Sequence, residues 1–277
     1  MFSSGEPWAR SSVFYINAEL SHAEQELSCV EFSLRSLLQR FSQEEIARYA
    51  RRDIVRKSLE KANSLANFYW ALSMAKRNQG FTLDLAQPPL SLRDEQIEAA
   101  ISCFSEYLQK QRDQYFPVGA PLSHHYMSTM EHFFSPVLVR KVRTVEVEGQ
   151  QIQVPPFYSS AKALGIRSLP QLSHTAPLTF IDVLAFTGPM TERKLLHALV
   201  HAAQFEVLGR VRYAELYVHA FLRFSQTFLV PLEAHAFSLC ARFSASPSAA
   251  FDVEAEIREW SKQGRYATDS PMAVSAQ

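Results

Sequence analysis

The chain has 277 residues, with 28 Lys and Arg against 28 Asp and Glu, 47% hydrophobic and 20% charged residues. This is an ordinary soluble composition, long enough for one large core or two smaller ones. A net charge of zero and a pI near 7.1 give no basic surplus for nucleic acid or an anionic membrane. Cys29, Cys103 and Cys240 are far apart, odd in number and never in a C-x-x-C pair. They exclude a disulfide framework and fit a reducing compartment. The opening residues carry no basic segment followed by an apolar stretch, and no run approaches the length of a membrane span. The expectation is a soluble cytoplasmic protein of undetermined oligomeric state.

Residues 1–18 read as a flexible arm. In the region 19–120, Leu27, Val30, Leu34, Leu37, Leu38 and Phe41 recur at helical spacing. Ser42 with Glu45 makes a capping-box pattern, and the helix it starts runs to the stop at Asn78-Gln79-Gly80. A third helix begins after Ser91 with Ile97, Ile101, Phe104, Tyr107 and Leu108, closed by Pro117-Val118-Gly119. Nothing in this region clusters catalytic residue types, so it reads as a helical scaffold or cap.

The pattern changes in the region 121–267. Val145 and Val147, a turn at Glu148-Gly149-Gln150, then Ile152 and Val154 read as a β-hairpin ended by Pro155-Pro156. A short helix covers Ser159 to Leu164. Leu178 to Phe186, rich in β-branched and aromatic residues and bounded by Pro177 and Gly188-Pro189, reads as one strand. Helices follow from Thr191 to Leu208, ending at Gly209, then through Tyr213, Leu216, Tyr217, Ala220 and Phe221. Another opens at Pro231, and a last amphipathic one runs through Trp260 after the break at Ser246-Pro247-Ser248. Residues 268–277 read as a flexible tail. The expected fold is mainly α with a small antiparallel β-sheet.

Within the helix TERKLLHALVHAAQFEVLG, His197 and His201 stand four apart. An α-helix turns about 100° per residue, so the two imidazoles share a face and can bind one cation from the same side. Zinc takes at least three protein ligands in such sites, and Glu233, opening the next-but-one helix, is the candidate third. Glu215 and His219, also four apart on the intervening helix, are candidate partners of the ligands, or ligands in place of Glu233. Gln204 lies near the histidines on the helical wheel and is a candidate polar group of the active site. Two histidines and a carboxylate suit one divalent cation, zinc first and iron second, because the same set is the facial triad of non-haem Fe(II) oxygenases.

The run from Leu178 to Phe237 resembles the zincin metallopeptidases in their glutamate-ligand branch, the gluzincins. In that family a strand lies beside the helix carrying H-E-x-x-H, and a later helix supplies a glutamate. The resemblance implies a zincin-like domain over 121–267, with His197, His201 and Glu233 as metal ligands. The strand through Phe180 and Val183 would border the cleft for an extended substrate. Ala198 takes the place of the catalytic glutamate. That departure leaves three accounts open: an introduced substitution, a natural site with another base or no hydrolysis, or a different metal. The implied activity is metal-dependent hydrolysis of an amide or peptide bond in a peptide or small-molecule substrate. The competing readings are an iron oxidase or oxygenase and a non-catalytic interaction protein.

The remaining candidates have plainer accounts. His124, His125 and His132 with Glu131 read as a polar loop entering a helix. His174 and His235 read as ordinary satisfied histidines, and the aromatic stripe at 213, 217, 221 and 224 as core.

Overall fold

The computed structural model describes residues 82–83, 93–147, 152–159, 177–224, 230–262 and 266–267. The two helices expected between His22 and Asn78 lie outside the described residues. Short strands β1 (Thr82–Leu83) and β5 (Tyr266–Ala267) pair antiparallel. Between them run α1 (Asp94–Tyr115), α2 (His124–Met130), α3 (Pro136–Lys141), β2 (Arg143–Glu146), β3 (Leu178–Phe180) and β4 (Val183–Phe186). Four helices follow: α4 (Glu192–Leu208), α5 (Arg210–Phe224), α6 (Pro231–Ala245) and α7 (Val253–Lys262). The protein is mainly helical with one small three-stranded sheet, an α+β architecture as its composition of elements implied.

The sheet differs in detail from expectation. Its order is β2-β4-β3, with β2 parallel to β4 and β3 antiparallel to it, so the sheet is mixed. Of the hairpin expected between residues 145 and 154, the turn lies outside the described residues; the first arm gives its hydrogen bonds to β4 instead, and residues 152–154 are not in a strand. Arg143 N–H donates to the Asp182 carbonyl and Val147 N–H to that of Phe186. On its other edge Thr144 exchanges both backbone bonds with Ala120. The single strand expected over Leu178–Phe186 is itself a hairpin, turning at Ile181 and Asp182, with Ile181 at φ 63°. A left-handed conformation is unfavourable for a β-branched residue, so something outside the turn must hold it. That hold is Arg112 of α1, whose guanidinium gives two bonds to the Asp182 carboxylate, at 2.8 and 3.0 Å. Residues 157–159 form a helical turn two residues earlier than expected, and the rest of that short helix lies outside the described residues.

α4 is the axis of the fold. Thr191 caps its start, the hydroxyl accepting from Lys194 N–H, and Gly209 ends it at φ 76°. Every residue from Leu195 to Phe205 is buried, as expected of a helix apolar on nearly all sides and packed all round. One core cluster joins α1, β3 and α5, with Phe104, Tyr107, Phe180, Tyr217 and Phe221 among its members. α1 thus shares a core with the C-terminal helices. The other cluster joins α2 and α3 to the opposite side of α4 and to α6 and α7, through Phe133, Leu196, Leu199, Leu239 and Ile257. Among the described residues no helix is long and apolar enough to cross a membrane.

Candidate metal centre

His197 and His201 project from the middle of α4, where helical spacing alone puts them on one face. Their rings meet edge to face with centroids 4.8 Å apart, and their Nε2 atoms are 3.1 Å apart. Glu233 enters from α6. Pro231 suits the first position of that helix, which lacks an intrahelical partner for its N–H, and Glu233 falls in the acidic-favoured first turn. Its Oε2 lies 3.4 Å from His197 Nε2 and 3.3 Å from His201 Nε2. Among the described residues these three side chains form the one group of His, Cys, Asp or Glu able to hold a metal ion. The centre is buried: His197 is 5% and His201 3% exposed, whereas the Glu233 side chain keeps 15%.

Charge follows the geometry. Burial pulls the His197 imidazole below its ordinary range, and the Glu233 contact does not make up the loss. For His201 burial also opposes protonation, but the Glu233 charge and its hydrogen bond, with that of Gln204, outweigh it and raise the group. Burial alone would lift the Glu233 carboxyl, yet His201 and His197 hold it well below the usual carboxylate range. Glu233 is therefore ionised at neutral pH, as a cation ligand must be.

The surroundings are aromatic and amide. Phe237, one turn beyond Glu233, packs on His197 with centroids 4.8 Å apart. Gln204 accepts from His201 Nδ1 at 2.8 Å and donates to the Leu232 carbonyl at 3.0 Å. The Tyr213 hydroxyl lies 3.4 Å from the same Nδ1. Burial, then the Glu233 charge, raises the Tyr213 phenol well above its ordinary range, and burial, then Tyr158 and the Glu233 charge, does the same to Tyr217. Both remain neutral hydroxyls beside the carboxylate.

The other candidates lie elsewhere. Glu215 pairs with Arg212, and His219 is surrounded electrostatically by Glu215, Arg212 and Asp94 rather than by the metal group. His124 opens α2, capped by Ser123, and exposed His125 sits 3.6 Å from Glu192. His235 is buried with its ring 4.7 Å from that of Trp260. Tyr213, read as core from its spacing, is both core and a neighbour of His201. No local pattern marks that double role, because it arises from how α5 folds back on α4. Phe237 entered the sequence reading only as the end of the run that resembles the gluzincins. Ala198 is fully buried within the apolar cluster that includes Ala236, Leu239 and Cys240, and its carbonyl accepts from Thr179 Oγ1 at 3.1 Å.

No family model, curated protein or solved structure matches this chain.

Proposed function

We propose that the protein is a zinc-dependent hydrolase of amide or peptide bonds, acting slowly on a peptide or small-molecule substrate. The observation that carries the reading is the ligand triangle, with edges of 3.1, 3.3 and 3.4 Å. Ligand atoms bound tetrahedrally at about 2.0–2.1 Å lie about 3.3–3.4 Å from one another. An octahedral set with bonds of about 2.1 Å would bring neighbours to about 3.0 Å. All three edges are short enough for one cation to reach every ligand atom at once, and zinc is the first reading for two histidines and a carboxylate. Three protein ligands leave a fourth position, the arrangement of catalytic rather than structural zinc.

The gluzincin resemblance is supported by β3 lying beside α4, tied to it by the Thr179 bond to Ala198, and by a glutamate arriving on a later helix. Bound there, zinc would polarise a substrate carbonyl and lower the pKa of water toward about 7. The chain itself supplies the three ligands and an apolar wall through Phe237. It supplies no carboxylate at residue 198. A positioned general base contributes about 10²–10⁴-fold, so the rate falls short of a full peptidase by that order. The proposed setting is the cytoplasm, with no nucleic-acid or membrane partner.

Zinc-loaded protein is assayed against fluorogenic peptides and small amides, with chelated protein and His201→Ala as controls. Slow cleavage that disappears in both controls is expected. Absence of cleavage by the zinc-loaded protein removes the hydrolase reading, and bound iron with oxygen consumption replaces it by the oxidase reading.

A further inference from the structure

We propose that Gln204 is the positioning residue of this centre. Its amide fixes His201 in the tautomer that turns a bare Nε2 toward the cation, and it ties that histidine to the helix turn bearing Glu233. The proposal rests on the metal reading above and adds a role for a side chain that touches no metal.

The argument starts at Leu232. A backbone carbonyl only accepts hydrogen bonds, so the Gln204 atom 3.0 Å from the Leu232 oxygen is the amide nitrogen. The opposite orientation would set two acceptors against each other in a fully buried place, where desolvation is uncompensated. Gln204 is 0% exposed, so water cannot repair such a mismatch. With the nitrogen so committed, Oε1 faces His201 Nδ1 at 2.8 Å. That oxygen too can only accept, so Nδ1 carries the hydrogen. A neutral imidazole has one N–H, and the remaining nitrogen, Nε2, presents its lone pair. Nε2 is the atom of His201 that faces both His197 and Glu233. The Tyr213 oxygen, 3.4 Å from the same Nδ1, can take a second, weaker share of that hydrogen.

The other end of the amide matters equally. Leu232 directly precedes Glu233 in the first turn of α6. One side chain thus bonds a ligand on α4 and the backbone next to a ligand on α6. Partners that orient ligating histidines commonly change metal affinity by about 10–100-fold when removed.

The test uses the full chain. Histidine labelled with 15N reports the tautomer of His201 in metal-free protein at a pH above its raised titration, where the ring is neutral, and competition with a chromophoric chelator reports zinc affinity. The wild type is expected to show His201 with hydrogen on Nδ1. Gln204→Met, which keeps the bulk and removes the amide, is expected to lose that preference and bind zinc about 10–100-fold more weakly. Gln204→Glu retains an acceptor at Nδ1 but sets its other oxygen against the Leu232 carbonyl, so it is expected to keep the tautomer while losing the tie to α6 and binding zinc more weakly. A wild-type His201 with hydrogen on Nε2 overturns the proposal. So does Gln204→Met that keeps both the tautomer and the wild-type zinc affinity. Wild-type protein with the expected tautomer but no zinc binding overturns the metal reading instead. The tautomer measurement needs no metal, so the two failures are separable. If Gln204→Met does not fold, the wild-type spectrum and Gln204→Glu still decide the point.

Discussion

Ala198 adjoins the first histidine, and its methyl group is fully buried among apolar side chains of α4 and α6. Glutamate there would have to bury a carboxylate in that cluster. The expected result for Ala198→Glu is a loss of about 3–5 kcal/mol in urea unfolding, with no gain in cleavage. A variant as stable as the wild type that cleaves peptides would instead show residue 198 open to the cleft. Gln111 makes the converse case. It is 0% exposed, and neither amide atom finds a hydrogen-bond partner among the described residues. Replacing such a group by an apolar one of similar shape is neutral or favourable, so Gln111→Leu is expected to stabilise the protein by about 1 kcal/mol. Destabilisation would show that the amide is satisfied by bound water. The histidine pair was legible in the sequence because a helix repeats its faces on a fixed spacing. Glu233 was legible from its place in a Pro-initiated first turn. Gln204 was legible as a polar neighbour, but not as the link to Leu232, which depends on where α6 lands.

At the scale of elements, the hairpin β3–β4 shows why local pattern misled. Leu178 to Phe186 has no Gly, Pro or Asn at its centre, and Asp182 is a single turn-forming residue within an otherwise strand-like run. The turn is held by Arg112, seventy positions away in sequence, which bonds Asp182 and stacks over the Phe116 ring at 4.0 Å. The parallel pairing of β2 with β4 is likewise non-local and took the first arm of the hairpin expected from alternation after Val145. By contrast α1 and α4 to α7 were read correctly, because caps and periodicity are short-range signals. Arg112→Ala would strand the Asp182 carboxylate, which is only 8% exposed. Losing the partner of a buried ion pair costs about 3–5 kcal/mol. Because Arg112 itself keeps 27% exposure, the expected cost is nearer to about 2–3 kcal/mol. An unchanged unfolding midpoint would show that the turn does not need this pair.

For the whole molecule, the packing around α4 sets the response to pH. Burial, and next the charge of His201, lowers the buried His235 imidazole to about 3. Unfolded, the group titrates near about 6.5. Between those values the unfolded chain binds the proton and the native protein does not. Stability is therefore full above the unfolded pKa and falls with decreasing pH through this window, by up to about 1.4 kcal/mol per unit. His235→Phe, which keeps a ring against Trp260, is expected to flatten that slope in denaturation measured from pH 7 to 4. An unaltered slope would assign it to other groups.

The central claim is that His197, His201 and Glu233 together bind one zinc ion. Elemental analysis joined to X-ray absorption, on protein purified without added metal, tests it most directly. The expected result is one zinc per chain, four-coordinate, with nitrogen and oxygen ligands at about 2.0–2.1 Å, lost on His197→Ala, His201→Ala or Glu233→Ala. Protein free of any transition metal, or zinc retained unchanged in those variants, would contradict the claim.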